Sequence, residues 1–311
     1  MGEKTKQERR SFTNENPLSP GAVRPNGQQN PDYTSTWWFL NDYPALLEDG
    51  PKPTEDSDDD PLFRMGTGRG RCEVLCFHPD PSRTLATMEL ADIQSVITAW
   101  IDRYADLSKR FIWVQLFENR GGIVGCSNPH PHGQIWSTDF LPNEIRTKER
   151  TQKEYFEKYG RPMLLDYAQK ELARKERVVC ETDHFVVLVP FWAAWPYETM
   201  LLPKRHVQEI SELTADEQKD LAICMKRLLV KYDNLFECDF PYSMGWHGRK
   251  GDHWQLHAMY FPPLLRSATV RKYYAGYELL AQCQRDISPE TAADALRNLN
   301  GQVHYSVRPV A

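Results

Sequence analysis

The chain repeats one order of elements, and this repetition restricts its possible folds more than any other feature. Strand patterns at Thr34–Leu40 and Glu73–Phe77 precede an amphipathic helix, a buried strand pattern at Phe111–Phe117 and a histidine-rich segment. The second half repeats this order, with strand patterns at His184–Pro190, Thr199–Leu202, Tyr242–Trp246 and His253–Phe261. An internal duplication accounts for the order, although such elements alone permit more than one fold.

Both predicted helices have the spacing of a buried apolar stripe. The first carries apolar residues three and four positions apart between Leu90 and Tyr104. The second is opened by Thr214 and Glu217, which have the spacing of a capping box, and its apolar residues continue to Tyr232. A helix therefore follows the first two strands of each repeat.

We predict three parts of the chain: a polar extended arm at residues 1–31, a unit with the histidine cluster at 32–177, and a second unit at 178–311. The 311 residues suit two fused units better than one simple core. No apolar run approaches the ~20 residues of a membrane span. A net charge of −5 argues against nucleic-acid binding by the whole surface. Seven scattered cysteines without a C-x-x-C pair indicate reduced thiols and a cytoplasmic protein.

The segment FENRGGIVGCSNPHPHGQ, Phe117–Gln134, carries the most distinctive chemistry. His130 and His132 are two residues apart, so on a strand both would face one side, and Gln134 continues that face. A lone H-x-H is more often a structural metal pair or two satisfied surface histidines than a catalytic site. Here a strand leads into a Gly/Ser/Asn turn before the pair, and this context favours an active site.

The side chains of this segment indicate transfer of a phosphorus-bound group. A neutral imidazole is a good nucleophile near neutral pH, and no serine, cysteine or carboxylate shares the alternation with the histidines. Gln134 can donate a hydrogen bond to a phosphoryl oxygen but cannot act as a general acid, which suits a phosphate leaving group that needs no proton. Backbone amides of the Gly125–Ser127 turn can hold the charged oxygens. We therefore predict transfer of a nucleoside monophosphate between phosphates.

The stretch GCSNPHPHGQIW resembles the galactose-1-phosphate uridylyltransferase family, the H-x-H-x-Q branch of the histidine-triad superfamily. The resemblance runs from about Asn16 to His304. It is also carried by NPDY at Asn30–Tyr33, LND at Leu40–Asp42, PFWAAWPYETMLLPKRH at Pro190–His206, KYDNLF at Lys231–Phe236, FPYSMGWHG at Phe240–Gly248, HWQLHA at His253–Ala258 and PPLLRSATVRK at Pro262–Lys272. The resemblance implies an α+β fold of two fused histidine-triad-like units, with a mostly antiparallel sheet flanked by helices.

The resemblance also implies a ping-pong reaction and a set of site residues. His132 attacks the α-phosphorus of UDP-glucose, and the uridylyl-histidine then reacts with galactose 1-phosphate to give UDP-galactose. His130 supports the nucleophile, and Gln134 binds the phosphoryl group. The positions that match nucleotide contacts are Ala22, Asn41, Asp42, Asn119, Gly125, Cys126 and Ser127. The positions that match hexose-phosphate contacts, which the family takes from the neighbouring subunit of a homodimer, are Lys272, Tyr273, Tyr277, Glu278 and Gln284.

Two metal sites of the family are incomplete in this sequence. The first, a C-x-x-C with two histidines, matches Asn16, Ser19, Pro81 and His130. We expect no zinc there, because zinc takes four ligands or three with an open position. The second, a structural site of one Glu and three His, matches Lys148, His247, His257 and Met259. A zinc or iron ion completed by water and a pair of satisfied buried histidines both stay open, and the resemblance implies no organic cofactor.

Two other functions stay open at this point. A related nucleotide phosphorylase or adenylyltransferase can also carry Gln at the third motif position, but the match from Lys272 to Gln284 favours a hexose-phosphate acceptor. A catalytically weak paralogue that binds UDP-sugars is suggested by the missing metal ligands and opposed by the intact H-x-H-x-Q. We expect an active hexose-1-phosphate uridylyltransferase with no nucleic-acid or membrane partner.

Overall fold

A nine-stranded antiparallel sheet forms the centre of the protein. The structure, a computed structural model, describes residues 16–50, 62–63, 66 and 68–308. The strands of the sheet are β1 (Trp37–Leu40), β2 (Gly70–Cys76), β3 (Trp113–Arg120), β4 (His132–Thr138), β5 (Val178–Glu181), β6 (Phe185–Leu188), β7 (Thr199–Pro203), β8 (Tyr242–His247) and β9 (His257–Phe261). Their order across the sheet is β1-β2-β4-β3-β8-β9-β7-β6-β5. A separate two-stranded ladder joins β10 (Leu264–Ser267) and β11 (Val270–Arg271).

Helices cover both faces of this sheet. They are α1 (Leu90–Leu107), α2 (Asn143–Tyr159), α3 (Met163–Arg174), α4 (Ala215–Phe236) and α6 (Pro289–Arg297), and a further one-turn helix, α5 (Tyr277–Leu280), buries none of its residues. In the part of the chain that the structure describes, no helix has the length and apolar character of a membrane crossing. The predicted α+β class with a mostly antiparallel sheet is confirmed.

The two halves of the chain have the same topology. The first contributes β1, β2, α1, β3 and β4, and the second repeats the order with β6, β7, α4, β8 and β9. In the sheet these sets are arranged symmetrically about the neighbouring strands β3 and β8, with β4 next to β3 and β9 next to β8. The sheet runs through both halves without a break, so the boundary at residues 177 and 178 stays a prediction.

The larger core lies between one face of the sheet and the helices α1 and α4. The α1 stripe buries Ile93, Ile97 and Trp100, whereas Leu90 at its start is exposed. At the start of α4 the capping box forms as predicted: the Thr214 hydroxyl accepts from the Glu217 amide, and the Glu217 carboxylate accepts from the Thr214 amide. This core packs against the helix-facing side of β4 and β9, the two strands that begin with a histidine.

The opposite face of the sheet is covered unevenly. In the second half, α3 packs there and forms a smaller core with β6, β7 and β9. In the first half, β4 buries Gly133 and Ile135 on the helix side and leaves His132 and Gln134 partly exposed on the other. The open stretch of sheet beside β4 is therefore where a substrate can reach the motif.

The described part of the predicted N-terminal arm is a closed turn rather than an extended segment. Residues 1–15 lie outside the described residues. Beyond them the chain folds back on itself, because the Asn30 amide donates to the Ala22 carbonyl and the Gly21 amide donates to the Pro31 carbonyl. Leu18 and Tyr33 then pack against the buried side of β2. Long-range contacts that local composition does not encode hold this segment on the sheet.

The strand predicted at His253–Phe261 begins later, at His257. The amide of Trp254 donates to the Gly251 carbonyl in a turn, so the ladder with β8 starts only where His257 pairs with His247. This start places His257 at the first position of its strand, as His132 is at the first position of β4.

Candidate active site

A cavity of about 800 Å³ opens at the start of β4. Three segments enclose it: the loop after β2, the end of β3 with the turn that follows, and the segment leading into β4. The lining residues are Arg83, Thr84, Glu118, Asn119, Arg120, Gly121, Gly122, Cys126, Ser127, Asn128, Pro129, His130, Pro131 and His132. Both histidines of the motif therefore face one space of nucleotide size.

The turn between β3 and the motif depends on glycine. Gly121 and Gly125 adopt left-handed φ angles of 96° and 84° at the two ends of a short 3-10 turn. A Cβ on Gly121 would also lie 3.0 Å from the Cβ of Pro241. Glycine permits both the φ angle and the close approach. The Gly125 and Cys126 amides, which were predicted to hold charged oxygens, instead donate to the Gly122 and Gly121 carbonyls within the turn.

His132 is held in one tautomer. Its Nδ1 lies 2.7 Å from the carbonyl oxygen of His130, and since a carbonyl can only accept, Nδ1 carries the hydrogen. Nε2 therefore keeps its lone pair. Burial lowers the pKa of His132, although the hydrogen bond to the His130 carbonyl opposes this effect. Burial therefore favours the neutral imidazole at neutral pH, and the fixed tautomer makes Nε2 its nucleophilic nitrogen.

His130 precedes the strand instead of sharing its face with His132. The β4 ladder begins at His132, and His130 is 1% exposed. The Tyr33 hydroxyl donates to the Leu18 carbonyl, so its oxygen accepts from His130 Nε2 at 2.9 Å. Burial, followed by the neighbouring His132, lowers the pKa of His130 to about 4. His130 is thus a neutral, fixed group that lines the same cavity and positions the backbone under His132.

Gln134 lies on the partly exposed face of β4 with His132. Its Oε1 accepts a hydrogen bond of 3.0 Å from the Trp136 indole N–H. This contact orients the amide, so the Nε2 hydrogens are the donors that Gln134 can offer to an anion.

The predicted nucleotide contacts divide into two groups. Asn119, Cys126 and Ser127 line the cavity with His132, and Gly125 ends the turn beside them. The Ser243 hydroxyl donates to Asn119 Oδ1 at 2.7 Å, which fixes the Asn119 amide. The remaining three do not line this cavity and lie near the folded N-terminal turn: Ala22, Asn41 and Asp42. Asp42 is paired there with Arg24 at 2.5 Å.

The predicted hexose-phosphate contacts form a separate cluster. Lys272 Nζ donates to Glu278 Oε1 and Asp286 Oδ2, both at 2.6 Å, and to the Gln284 carbonyl at 3.1 Å. Tyr273 and Tyr277 are 67% and 58% exposed. These residues do not line the His132 cavity. Part of the cluster lines a second pocket of about 550 Å³ on the other side of the Gly122–Val124 turn.

Two cationic residues of the cavity were not predicted. Arg83 follows β2, whose last residue Cys76 pairs with His132, so the strand register could have identified its loop. Arg120 forms a bidentate salt bridge with the buried carboxylate of Asp233, which also accepts from His304. Asp233 therefore orients Arg120 at the end of β3, and sequence spacing gives no sign of this long-range pairing.

The positions matching the first metal site do not fit zinc. The Asn16 and Asn128 side-chain amides bond each other reciprocally at 2.7 and 3.0 Å, and His130 Nε2 bonds Tyr33. Imidazole and thiolate are the preferred zinc ligands, and His130 alone supplies one at these positions. Within the described residues no three His, Cys, Asp or Glu side chains are grouped to hold a metal.

The positions matching the second metal site hold a lysine between two histidines. Lys148 Nζ lies 2.6 Å from His247 Nδ1 and 3.2 Å from His257 Nε2. Met259 lines the small cavity beside this group. An ammonium at this point does not fit a divalent ion, because the two cations would repel each other at contact distance.

Comparison with known proteins gives a consistent result along the whole chain. Residues 2–142 match the family description "Galactose-1-phosphate uridyl transferase, N-terminal domain", and residues 148–309 match its C-terminal domain. A rat galactose-1-phosphate uridylyltransferase is 55% identical over 93% of this chain and 78% of its own length. A Haemophilus influenzae galactose-1-phosphate uridylyltransferase is 52% identical over 94% of this chain and 84% of its own.

Solved structures agree on the fold. A uridylyltransferase structure superposes with a TM-score of 0.82 at 27% identity, covering 94% of this chain and 93% of that one. An ADP-glucose phosphorylase from Arabidopsis thaliana has a TM-score of 0.73 at 22% identity, over 91% and 87% of the two chains, and shows a shared fold alone.

The fold, the cavity and the histidine motif together define a nucleotidyltransferase. The matched domains cover almost the whole chain, and several relatives are about half identical to it. The chain belongs to the galactose-1-phosphate uridylyltransferase family.

Proposed function

We propose that this protein transfers the uridylyl group of UDP-glucose to galactose 1-phosphate through a uridylyl-His132 intermediate. The names of its relatives support the overall reaction. The observation that carries the mechanism is the His132 tautomer: the hydrogen bond from Nδ1 to the His130 carbonyl leaves the Nε2 lone pair beside a cavity of nucleotide size.

In the first half-reaction, His132 Nε2 forms a bond to the α-phosphorus, and the bond from that phosphorus to the bridging oxygen breaks. Glucose 1-phosphate leaves with the electron pair and needs no proton, because the second pKa of a phosphate is about 6. The hydrogen bond from Nδ1 to the His130 carbonyl stabilises the positive charge on the imidazole ring. The Gln134 amide donates to a phosphoryl oxygen, with its orientation set by Trp136.

In the second half-reaction, a phosphate oxygen of galactose 1-phosphate attacks the same phosphorus. The bond between phosphorus and Nε2 breaks, and its electron pair returns to the imidazole as the lone pair. UDP-galactose forms, and neutral His132 is regenerated without net proton transfer. The Gln134 amide holds the oxygens that carry charge in both steps.

The acceptor site is proposed to be completed by a second subunit. The segment that holds Lys272 exposes Tyr273, Tyr277, Leu279 and Leu280, of which Leu280 is 87% exposed. A monomer rarely exposes apolar side chains in such a concentration without a partner. A homodimer would cover this surface and bring Lys272 of one chain to the partner's hexose phosphate. Lys272 would then exchange a carboxylate neighbour for the phosphate.

A cytoplasmic location is part of the same proposal. The seven cysteines all lie within the described residues, and none is in a disulfide. Thiols persist in reducing compartments such as the cytoplasm.

The test uses UDP-glucose labelled in the uridine, without an acceptor. We expect protein denatured at alkaline pH, where a histidine phosphoramidate is stable, to carry the label, and galactose 1-phosphate added to the labelled native protein to release it as UDP-galactose. Labelling by ADP-glucose instead would identify a phosphorylase or adenylyltransferase of the same fold. Tight binding of UDP-glucose without labelling would identify a non-catalytic paralogue.

A further inference from the structure

A lysine side chain lies where two imidazole lone pairs converge, away from the His132 cavity. Lys148 of α2 contacts His247 of β8 at 2.6 Å and His257 of β9 at 3.2 Å. The two facing nitrogens, His247 Nδ1 and His257 Nε2, are themselves 3.1 Å apart. His257 is fully buried, and Lys148 and His247 are half-buried.

The hydrogen-bond roles follow from the neighbours. His257 Nδ1 lies 2.8 Å from the Gln255 carbonyl, which can only accept, so His257 Nε2 has no hydrogen. An ammonium can only donate, so His247 Nδ1 accepts from Lys148 at 2.6 Å and also presents a lone pair. Two lone pairs 3.1 Å apart repel each other unless a cation lies between them. Lys148 supplies that cation.

The same lone pairs have the spacing that one metal ion requires. Two nitrogens bound to zinc at tetrahedral angles and at the usual bond length are roughly 3.3 Å apart. Met259 is two residues after His257 on β9, so both side chains face the cavity of about 280 Å³ that adjoins Lys148. His257 and Lys148 line this cavity, His247 adjoins it through Lys148, and the ammonium occupies the point where the lone pairs of the two imidazoles meet.

We propose that the Lys148 ammonium is the resident cation of this junction and takes the place of a divalent metal ion. It joins α2 to β8 and β9 through hydrogen bonds, where a metal would join the same elements through coordination. The identity of residue 148 then decides which cation the junction holds. This inference goes beyond the transfer reaction, and its readouts are bound metal and melting temperature.

The experiment compares the whole protein with Lys148→Glu and with Lys153→Glu. Lys153 is an exposed residue of the same helix, so Lys153→Glu changes the net charge equally without touching the histidines. Each protein is loaded with zinc, desalted and analysed for metal, and its melting temperature is measured with zinc and with a chelator. We expect Lys148→Glu to retain about one zinc per chain, because a carboxylate and two imidazoles are the ligands of known three-residue zinc sites.

We expect the unchanged protein and Lys153→Glu to retain less than ~0.1 zinc per chain and to melt at the same temperature with or without chelator. Zinc should raise the melting temperature of Lys148→Glu by roughly 5 °C or more. If Lys148→Glu folds poorly, Lys148→Glu combined with Met259→His supplies a fourth ligand and is produced in zinc-containing medium. The proposal is overturned if the unchanged protein holds a metal whose removal lowers its melting temperature. It is also overturned if the double variant, like Lys153→Glu, binds no zinc.

Discussion

His132 and His257 occupy equivalent places in the two halves of the chain, yet their surroundings differ completely. Each is the first residue of its strand, and each bonds through Nδ1 to the carbonyl two residues earlier, at 2.7 Å for His132 and 2.8 Å for His257. Both imidazoles therefore present Nε2 with a lone pair. The local geometry of the repeat has been kept, and it fixes the tautomer in both places.

What Nε2 faces decides what each histidine can do. His132 faces an open cavity of about 800 Å³, so its lone pair is available to a substrate. His257 is fully buried, and its lone pair meets the Lys148 ammonium. Among the residues of the first half that the structure describes, no helix covers this face of β4, whereas α2 and α3 cover the corresponding face of β9. The same imidazole geometry thus supports chemistry in one half and helix attachment in the other.

The largest expected effect is the loss of transfer in His132→Gly. Removing the imidazole whose Nε2 lone pair faces the cavity should lower the transfer rate by roughly 10⁴-fold or more, because the covalent intermediate can then no longer form. Uridine labelling and full transfer would both be measured. The control is His184→Gly, which removes an exposed histidine before β6 and should keep normal rates. Near-normal transfer in folded His132→Gly would contradict the mechanism.

The equivalent change in the second half, His257→Ala, should affect stability instead. It leaves the Gln255 carbonyl and one Lys148 donor buried without this partner, and we expect a loss of about 2–4 kcal/mol in the free energy of unfolding. Urea unfolding measures the loss. Labelling of His132 per folded molecule should stay within about twofold of normal, since the two sites are separate. A stable His257→Ala protein that cannot be labelled would show that the halves do not divide their roles in this way.

Sequence patterns predicted the repeated element order because apolar periodicity records which face of each helix and strand is buried. The α1 stripe at Ile93, Ile97 and Trp100 is an example. The same reasoning misplaced His130, because Pro131 has no backbone N–H and the ladder starts only after it. Periodicity predicted correctly that His132 and Gln134 share one face, because both residues lie within the strand.

Contacts between distant residues account for the rest. Lys148 belongs to a helix with abundant charge, and nothing near it in the sequence indicates two histidines about a hundred positions later. The bond from His130 to Tyr33 likewise joins residues 97 positions apart. Such pairings depend on how the elements pack, so local spacing could not have predicted the fixed His130 ring or the ammonium between the two histidines.

Glu278→Ala should separate the two half-reactions that His132 serves. Glu278 bonds Lys272, and neither lines the His132 cavity of its own chain. We expect kcat/KM for galactose 1-phosphate to fall by about 10–100-fold, because the acceptor loses a hydrogen-bonding carboxylate. Labelling by UDP-glucose should persist at a reduced rate. Glu278→Gln, which keeps one acceptor oxygen, should recover part of the lost activity.

The same variant tests whether the acceptor site is shared between subunits. Mixing His132→Gly with Glu278→Ala under conditions that exchange subunits should restore some transfer, because one of the two sites in a heterodimer would then combine an intact His132 with an intact Glu278. Verified heterodimers without recovery would place the acceptor site within one chain.

The smallest expected effect distinguishes the equivalent helices α1 and α4. At the start of α1, Glu89 makes no side-chain capping bond, whereas α4 has a capping box in which Glu217 also binds Arg205 at 2.5 Å. The hydrogen bond from Arg205 lowers the pKa of Glu217 to about 2, against the opposing effect of burial. A carboxyl with a depressed folded-state pKa stabilises the protein above its unfolded pKa, and this stabilisation is lost as the pH falls towards the folded value.

Glu217→Gln should therefore lower the free energy of unfolding by about 1–2 kcal/mol at pH 7. This is less than the full pKa shift would give, because Arg205 is partly exposed. The difference from the unchanged protein should shrink between about pH 4.5 and 2. Urea midpoints measured across this range test it, with Glu154→Gln on the exposed face of α2 as the control for loss of a surface charge. A difference that does not change with pH would mean that Glu217 acts through its hydrogen bonds to the helix end alone, and that the charge adds nothing to the second half of the molecule.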